Sequence, residues 1–324
     1  MTQLETVTLP VEPQRNPLTR QRLTDLAPAF VFVAIIAVVL VAQPSFLGVG
    51  VGVLTLQAAP ILLLALGHMV VLRTGGIDLS NAAVAVACAI VLASLLGSLG
   101  PLAIVVTLAV GAGAGVLNGV LTTKFQVPSF SVTLGTLGVW QAAALLLSGA
   151  TTVYVSQNIG LIRWMVQTQV AGITVSFLVA AVAAVVLWLV FRYSRYGVGL
   201  TALGLNEKAS ILSGVHTQRV RILAFGISGL LAAGAGVLIV AQQSAATASG
   251  YGVALLMPSI AAAIIGGCAI SGGVGHPLNV LFGALIVALI PMATVLLGIG
   301  ANVQLLIYGA VIVIASALTM KRRT

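Results

Sequence analysis

Charge is nearly absent from this chain of 324 residues. Only 6% of positions are charged, and five are acidic: Glu5, Glu12, Asp25, Asp78 and Glu207. None of the five falls near the middle of an apolar run. This argues against a proton- or sodium-coupled carrier, which places ionisable groups or broken helices at the membrane midplane. Cysteine is equally scarce. Cys88 and Cys268 are far apart, inside apolar runs and without metal-ligand spacing, so neither a disulfide framework nor a metal site is expected. No GxxxxGK[ST] segment occurs, so the chain has no phosphate loop with which to hydrolyse ATP. A membrane-embedded enzyme would need His, Asp or Cys clustered towards one cavity, and no such cluster is present. The expectation is a non-enzyme that binds no cofactor itself.

What is present is apolar. Hydrophobic residues make up 60% of the chain and the mean hydropathy is +1.20. A soluble fold of this size does not need that much apolar surface, so the chain is read as an all-α, polytopic transmembrane helical bundle. The 36 glycines suit close helix packing in lipid. The formal charge of +9 is what cytoplasmic loops of a membrane protein accumulate, so nucleic acid is not implied.

About ten spans are expected. The first runs from about Ala27 to Ala42, the second from Val53 to Leu72, the third from Asn81 to Leu96. The fourth ends at Lys124, the fifth runs from Pro128 to Leu147, and the sixth from Ala171 to Phe191. The seventh runs from Ile222 to Ala241, the eighth from Val253 to Ile270, the ninth to Leu297, and the tenth from Ala301 to Thr319. Residues 1–26 form a polar, Pro-containing cytoplasmic tail without a small-residue cleavage site, and 27–324 form one transmembrane domain. Ten spans place both termini on one side. Thirteen of the fourteen basic residues then fall on that side: Arg15, Arg20, Arg22, Arg73, Lys124, Arg192, Arg195, Lys208, Arg219, Arg221, Lys321, Arg322 and Arg323. Only Arg163 lies outside, in a segment where it and Trp164 sit on a short interfacial helix. By the positive-inside rule that basic side is cytoplasmic.

The most polar stretch is the loop 192–221. Within it Asn206 to Ser213 reads as a short helix. Asn206 caps its first amides, Glu207 suits its N-terminal dipole, and Gly214 stops it. Leu205, Ala209 and Leu212 recur at helical spacing and give it an apolar face. With a glycine at each end (Gly204, Gly214), it is either an element gripped by another protein or an ordinary basic loop. In Gly75-Gly76-Ile77-Asp78-Leu79-Ser80 the glycines turn the chain, and Asp78 or Ser80 caps the third span or takes part in gating. Gly266-Gly267 and Gly272-Gly273 read as tight helix reversals, since no strand precedes them as a dinucleotide loop requires. His68 reads as packed and hydrogen-bonded, with a ligand role as the alternative. Trp140 is an interface anchor or a surface on which a substrate stacks.

Three segments together resemble one family. They are Thr74-Gly75-Gly76-Ile77-Asp78-Leu79-Ser80, then Ala202-Leu203-Gly204-Leu205-Asn206-Glu207-Lys208-Ala209-Ser210 with Ser213-Gly214, and Ile260-Ala261-Ala262-Ala263-Ile264-Ile265-Gly266-Gly267 with Ser271-Gly272-Gly273-Val274-Gly275. In order and spacing they resemble the ribose/xylose/galactose-type ABC transporter permeases of bacteria, from about residue 26 to 324. The resemblance implies an inner-membrane importer subunit for a sugar or sugar-like solute, paired with a second permease subunit, identical or not. It also implies a cytoplasmic ATPase holding ATP and Mg, and a periplasmic solute-binding protein. On this resemblance Gly204, Leu205, Asn206, Glu207, Ala209, Ser213 and Gly214 form the coupling helix that seats in the ATPase. Gly75, Gly76, Asp78, Ser80, Gly266, Gly267, Gly272 and Gly273 become turn and gate positions. A substrate path along Ser131, Thr133, Thr136, Trp140 and Gln141 is expected from sparse polar residues in the fifth span. Two departures stand out: Leu256-Met257-Pro258 where the family often carries acids, and Asn81-Ala82 where it has V-G. They bear on the solute and on whether the second subunit is identical. The alternatives are an ion-coupled secondary carrier and a permease for branched-chain amino acids.

Overall fold

A computed structural model describes residues 27–42, 46, 49–249, 251–296 and 302–320. The tail 1–26 and the closing Lys321, Arg322 and Arg323 lie outside the described residues. In chain order the helices are α1 (Ala27–Ala42), α2 (Gly50–Arg73), α3 (Asn81–Leu99), α4 (Pro101–Lys124), α5 (Ser129–Ser148), α6 (Gly160–Gln167) and α7 (Val175–Tyr193). They continue with α8 (Arg195–Leu205), α9 (Glu207–Leu212), α10 (Thr217–Gln243), α11 (Tyr251–Ile265), α12 (Pro277–Leu296) and α13 (Asn302–Met320). Four two-residue strands make two small antiparallel pairs: β1 (Val153–Tyr154) with β4 (Ala245–Ala246), and β2 (Gln169–Val170) with β3 (Ile173–Thr174). The fold is thus helical, with 7 helices long and apolar enough to cross a membrane among the described residues. Three shorter apolar helices accompany them, Ala27–Val41, Ala254–Ile265 and Val303–Val313.

The centre is α2, enclosed by α10, α12, α11 and α7. Its interior Pro60 has no N–H, which leaves the carbonyl of Leu56 without its usual helical donor. Gln242 of α10 supplies one, with Nε2 donating to Leu56 O at 2.8 Å. In lipid such a carbonyl must be satisfied by protein. Its neighbour on α2, Thr55, receives the Thr174 amide at 3.2 Å, and His68 Nε2 meets Ser259 Oγ of α11 at 3.0 Å.

The closest helix pair is α4 on α10. A methyl group built on Gly115 would lie 2.0 Å from Phe225 O, and one on Gly229 would lie 2.0 Å from Gly111 O. No side chain fits between these backbones. The Gly111-x3-Gly115-x3-Gly119 stripe is therefore a packing surface, as small residues at four-residue spacing are in membranes.

The structure changes several expected boundaries. The stretch 192–221 is helical for most of its length. It holds α8, unforeseen from sequence, as well as α9, and α10 begins at Thr217 instead of near Ile222. Gly197 and Gly204 sit inside α8, each against the backbone of another helix. The eighth span stops at Ile265 and not at Ile270, because Gly267 turns the chain at φ 84°. At the pole opposite α9 the end of α3 is held by a side chain, Asn158 Nδ2 donating to Leu96 O at 3.1 Å.

Candidate functional site

Two short helices at one pole carry side-chain caps, which none of α2 to α7 or α10 has. Ser194 Oγ accepts from Gly197 N at 3.1 Å to open α8, and Asn206 Oδ1 accepts from Ala209 N at 3.0 Å to open α9. Short helices gain little from propagation, so caps decide whether they form. Gly214, at φ 80°, ends the turn after α9 as expected. Glu207 does more than suit the dipole, since it pairs with Arg221 of α10 at 2.9 Å. The apolar face faces out: Leu205 is 63% exposed, Ile211 55% and Leu212 90%, with Ala209 and Ser213 exposed beside them. Among the described residues nothing covers that face, and α9 stands as a capped knob.

The three sequence motifs converge beneath the knob. Gly204, expected at the start of the short helix, lies within α8 instead. A methyl group on it would come 1.9 Å from Arg73 O and 2.4 Å from Gly273 N. One on Gly272 would come 2.8 Å from Gly204 O and 3.0 Å from Gly75 Cα. Gly273 N donates to Arg73 O at 3.0 Å. Backbones from α2, α8 and the α11–α12 turn therefore touch directly. Gly266 and Gly267 stand apart from this contact, at the end of α11 where Gly266 packs on Val280 of α12.

Arg73 binds the same three segments through its side chain. One guanidinium nitrogen donates to Gly275 O at 2.9 Å, and the other donates to Thr201 Oγ1 of α8. The guanidinium carbon lies 4.7 Å from the Phe191 ring centroid of α7.

Asp78 is neither exposed nor a simple helix cap. It is 3% exposed and accepts from Ser80 N (3.0 Å), Ser80 Oγ (2.7 Å), Ser228 Oγ of α10 (2.9 Å) and the amide of Asn81. The two hydroxyls in turn accept from amides: Asn118 Nδ2 of α4 donates to Ser80 Oγ at 2.8 Å, and Asn81 Nδ2 to Ser228 Oγ at 2.7 Å. Each hydroxyl thus links the carboxyl group to an amide, and through them Asp78 is tied to α3, α4 and α10. Burial pushes the Asp78 carboxyl up from the ordinary carboxylate range, and the donors from Ser80, Ser228 and Asn81 oppose that rise. Gly76 is buried beside this loop and Gly75 exposed. The same loop is held to α5 by Ile77 N donating to Ser129 Oγ (3.0 Å) and Thr133 Oγ1 donating to Ile77 O (3.1 Å).

A cleft of about 640 Å³ opens between α9 and the α4–α5 connection, lined by Glu207, Ile211, Arg221, Thr123, Gln126 and Pro128 among others. Shared walls and bonds put Arg73, Lys124, the basic residues of 192–221 and this cleft at one pole, with Arg163 at the other.

The five residues expected along a path do not form one surface within this chain. Thr133 is buried and spent on Ile77 and Ser129. Trp140 is half-buried, its Nε1 enclosed without a partner. Ser131 is exposed, while Thr136 and Gln141 are partly so. Sequence reasoning missed Thr201, Ser228, Asn118, Ser129 and Arg221, and treated Arg73 only as a span end. A polar side chain isolated in an apolar span is the signal that could have found Asn118 and Ser228, because such a group requires a partner in lipid.

The sequence has counterparts among known proteins. Residues 50–316 match the family described as "Branched-chain amino acid transport system / permease component". The chain is 29% identical to the ribose import permease protein of Escherichia coli (strain K12), over 95% of this chain and 98% of that one. It is 32% identical to the ribose import permease protein of Bacillus subtilis (strain 168), over 93% and 94%. It is 33% identical to the autoinducer 2 import system permease protein of Escherichia coli (strain K12 / DH10B), over 83% and 80%. With a family match over most of its length and relatives aligned nearly end to end, this multi-pass membrane chain belongs to the branched-chain amino acid transport system permease family.

Proposed function

We propose that this chain is the membrane-spanning permease subunit of an ATP-binding-cassette importer for a sugar or sugar-like solute. The observation that carries the proposal is α9, a capped helix whose apolar face is uncovered and whose base is seated on the end of the central helix. The names of the relatives, ribose and autoinducer 2 import permeases, supply the solute class. In this proposal Leu205, Asn206, Glu207, Ala209, Ser213 and Gly214 meet a cytoplasmic ATPase, which holds ATP and Mg and does the hydrolysis. Rigid-body closure of two ATPase copies is passed through α9 to the spans, giving alternating access. A solute-binding protein works at the pole of α6.

The seven long helices and the three shorter apolar ones make ten spans across a bacterial inner membrane, with residues 27–324 as one domain. The basic pole is then cytoplasmic, as are both termini. The path runs between this chain and a second permease subunit. The support is α5, whose best apolar window is only 11% buried and leaves Ser131 uncovered, with Thr136 and Gln141 partly so.

Uptake and ATP hydrolysis by the complex with its ATPase and binding protein test this. Glu207→Arg or Leu212→Asp should abolish ATP-driven uptake while the permease remains in the membrane. Uptake by the permease alone down a proton or sodium gradient, unaffected by those changes, would replace the proposal with a secondary carrier. A panel of ribose, galactose and leucine separates sugar from branched-chain amino acid.

A further inference from the structure

Arg73 is a half-buried cation with no carboxylate beside it among the described residues. Arg221 pairs with Glu207 at the surface of the same pole. The partners of Arg73 are neutral dipoles and a ring: Gly275 O in the α11–α12 turn, Thr201 Oγ1 on α8, and Phe191 on α7. Its own carbonyl accepts from Gly273 N. A helix-dipole role at the end of α2 would be satisfied by any cation reaching solvent. It would not require a planar fork with one arm on α8 and the other on a turn seventy residues further on.

From this we infer that Arg73 is the positioning residue that makes α8, the α11–α12 turn and the end of α2 move as one body when α9 is displaced. The inference rests on the proposed function and deepens it. Two observations support it. First, α9 follows α8 after a single residue, and Gly204 of α8 contacts the Arg73 backbone too closely for any side chain, so a displacement of α9 reaches α2 without slack. Second, the guanidinium cross-links the segments from the end of α2, with one nitrogen on Thr201 of α8, another on Gly275 O of the turn, and the Phe191 ring of α7 against its face.

The test uses the full complex with its ATPase in lipid nanodiscs, with Mg-ATP plus vanadate as the probe. Spin labels go on Val198→Cys of α8 (68% exposed) and Val274→Cys of the turn (47% exposed), in a Cys88→Ala, Cys268→Ala background. With Arg73 present the two labels should keep one narrow distance in the resting and trapped states. In Arg73→Met a separated population should appear on trapping, about tenfold above its level with Arg73, in the range seen for mutations within coupling networks. Arg73→Lys keeps the charge but loses the fork, and Thr201→Val removes one bond at nearly constant volume. Both should fall between, and Thr201→Val serves if Arg73→Met does not assemble. A trapped Arg73→Met or Thr201→Val complex with the same narrow distance as the parent overturns the inference alone. Failure of the parent chain to assemble with the ATPase overturns the proposed function and the inference with it. Loss of yield with an unchanged distance would show a merely structural residue.

Discussion

Two helices of similar composition have opposite surroundings. Both α2 and α5 are long enough and apolar enough to span a membrane, yet 72% of the best apolar window of α2 is buried within the chain and only 11% of that of α5. Apolarity admits a helix to the bilayer but does not choose its neighbours, because lipid tails are as apolar as leucine. What separates the two is the fate of their polar groups and the contacts of glycine. On α2 the Leu56 carbonyl, Thr55 and His68 each meet a partner from another element. On α5 the hydrogen bonds to other elements come from the first turns, through Ser129 and Thr133, and a methyl group added at Gly135 or Gly138 meets nothing within 4 Å.

The largest effect should come from inserting bulk into the packed side. Gly115→Leu or Gly229→Leu forces α4 off α10 and should cost about 5 kcal/mol or more, seen as loss of monodisperse protein in detergent. Gly135→Leu on α5 is the matched control and should leave yield unchanged. Next comes the buried carboxylate. Asp78→Ala orphans two hydroxyls and should lower stability by about 3 kcal/mol, read by thermal unfolding.

The same site sets a pH dependence. Because the folded state holds the Asp78 carboxyl above its unfolded value, the unfolded chain ionises first as pH rises. Stability should therefore fall from about pH 4 upward, until the folded carboxyl has also ionised. Asp78→Asn should flatten that slope. Asp78 and Glu207 are the only acids among the described residues, and the difference between the parent and Asp78→Asn isolates the Asp78 contribution from that of the histidines.

Smaller still is Gln242→Leu, which leaves the Leu56 carbonyl unpaired and should cost about 1–2 kcal/mol. Smallest is Leu146→Ala on α5, where the side chain is 83% exposed, with an expected change under about 0.5 kcal/mol. A larger loss at Leu146, measured in the assembled transporter, would mean that a second subunit covers α5 and that the contrast with α2 belongs to the single chain alone.

Much of this was legible in the sequence. The helical class, the cap at Asn206, the stop at Gly214 and the isolation of Arg163 from the other described basic residues follow from residue type and order. The junction was legible only as three separate motifs. Glycine gives the same letter whether it turns a chain, as Gly267 does, or admits a foreign backbone, as Gly204 does, and only a partner far off in sequence distinguishes them. From sequence Asp78 reads as a cap or a gate residue, because it stands between a glycine turn and the start of a span. Its role as a buried hub depends on Ser228, 150 residues away. The helix α8 was missed because three glycines interrupt its apolar pattern.

The glycine stripe between α4 and α10 also bears on the order in which the protein is made. The two helices are separated by the chain from Lys124 to Thr217. At ordinary rates of synthesis, about 5–20 residues per second, α4 emerges roughly 5–20 s before the helix that fits it. For that interval a helix shaped for backbone contact has only lipid, or whatever attends the nascent chain, against its bare face. A ribosome stalled before Thr217 should therefore hold α4 in a state that protease or crosslinker distinguishes from the finished bundle.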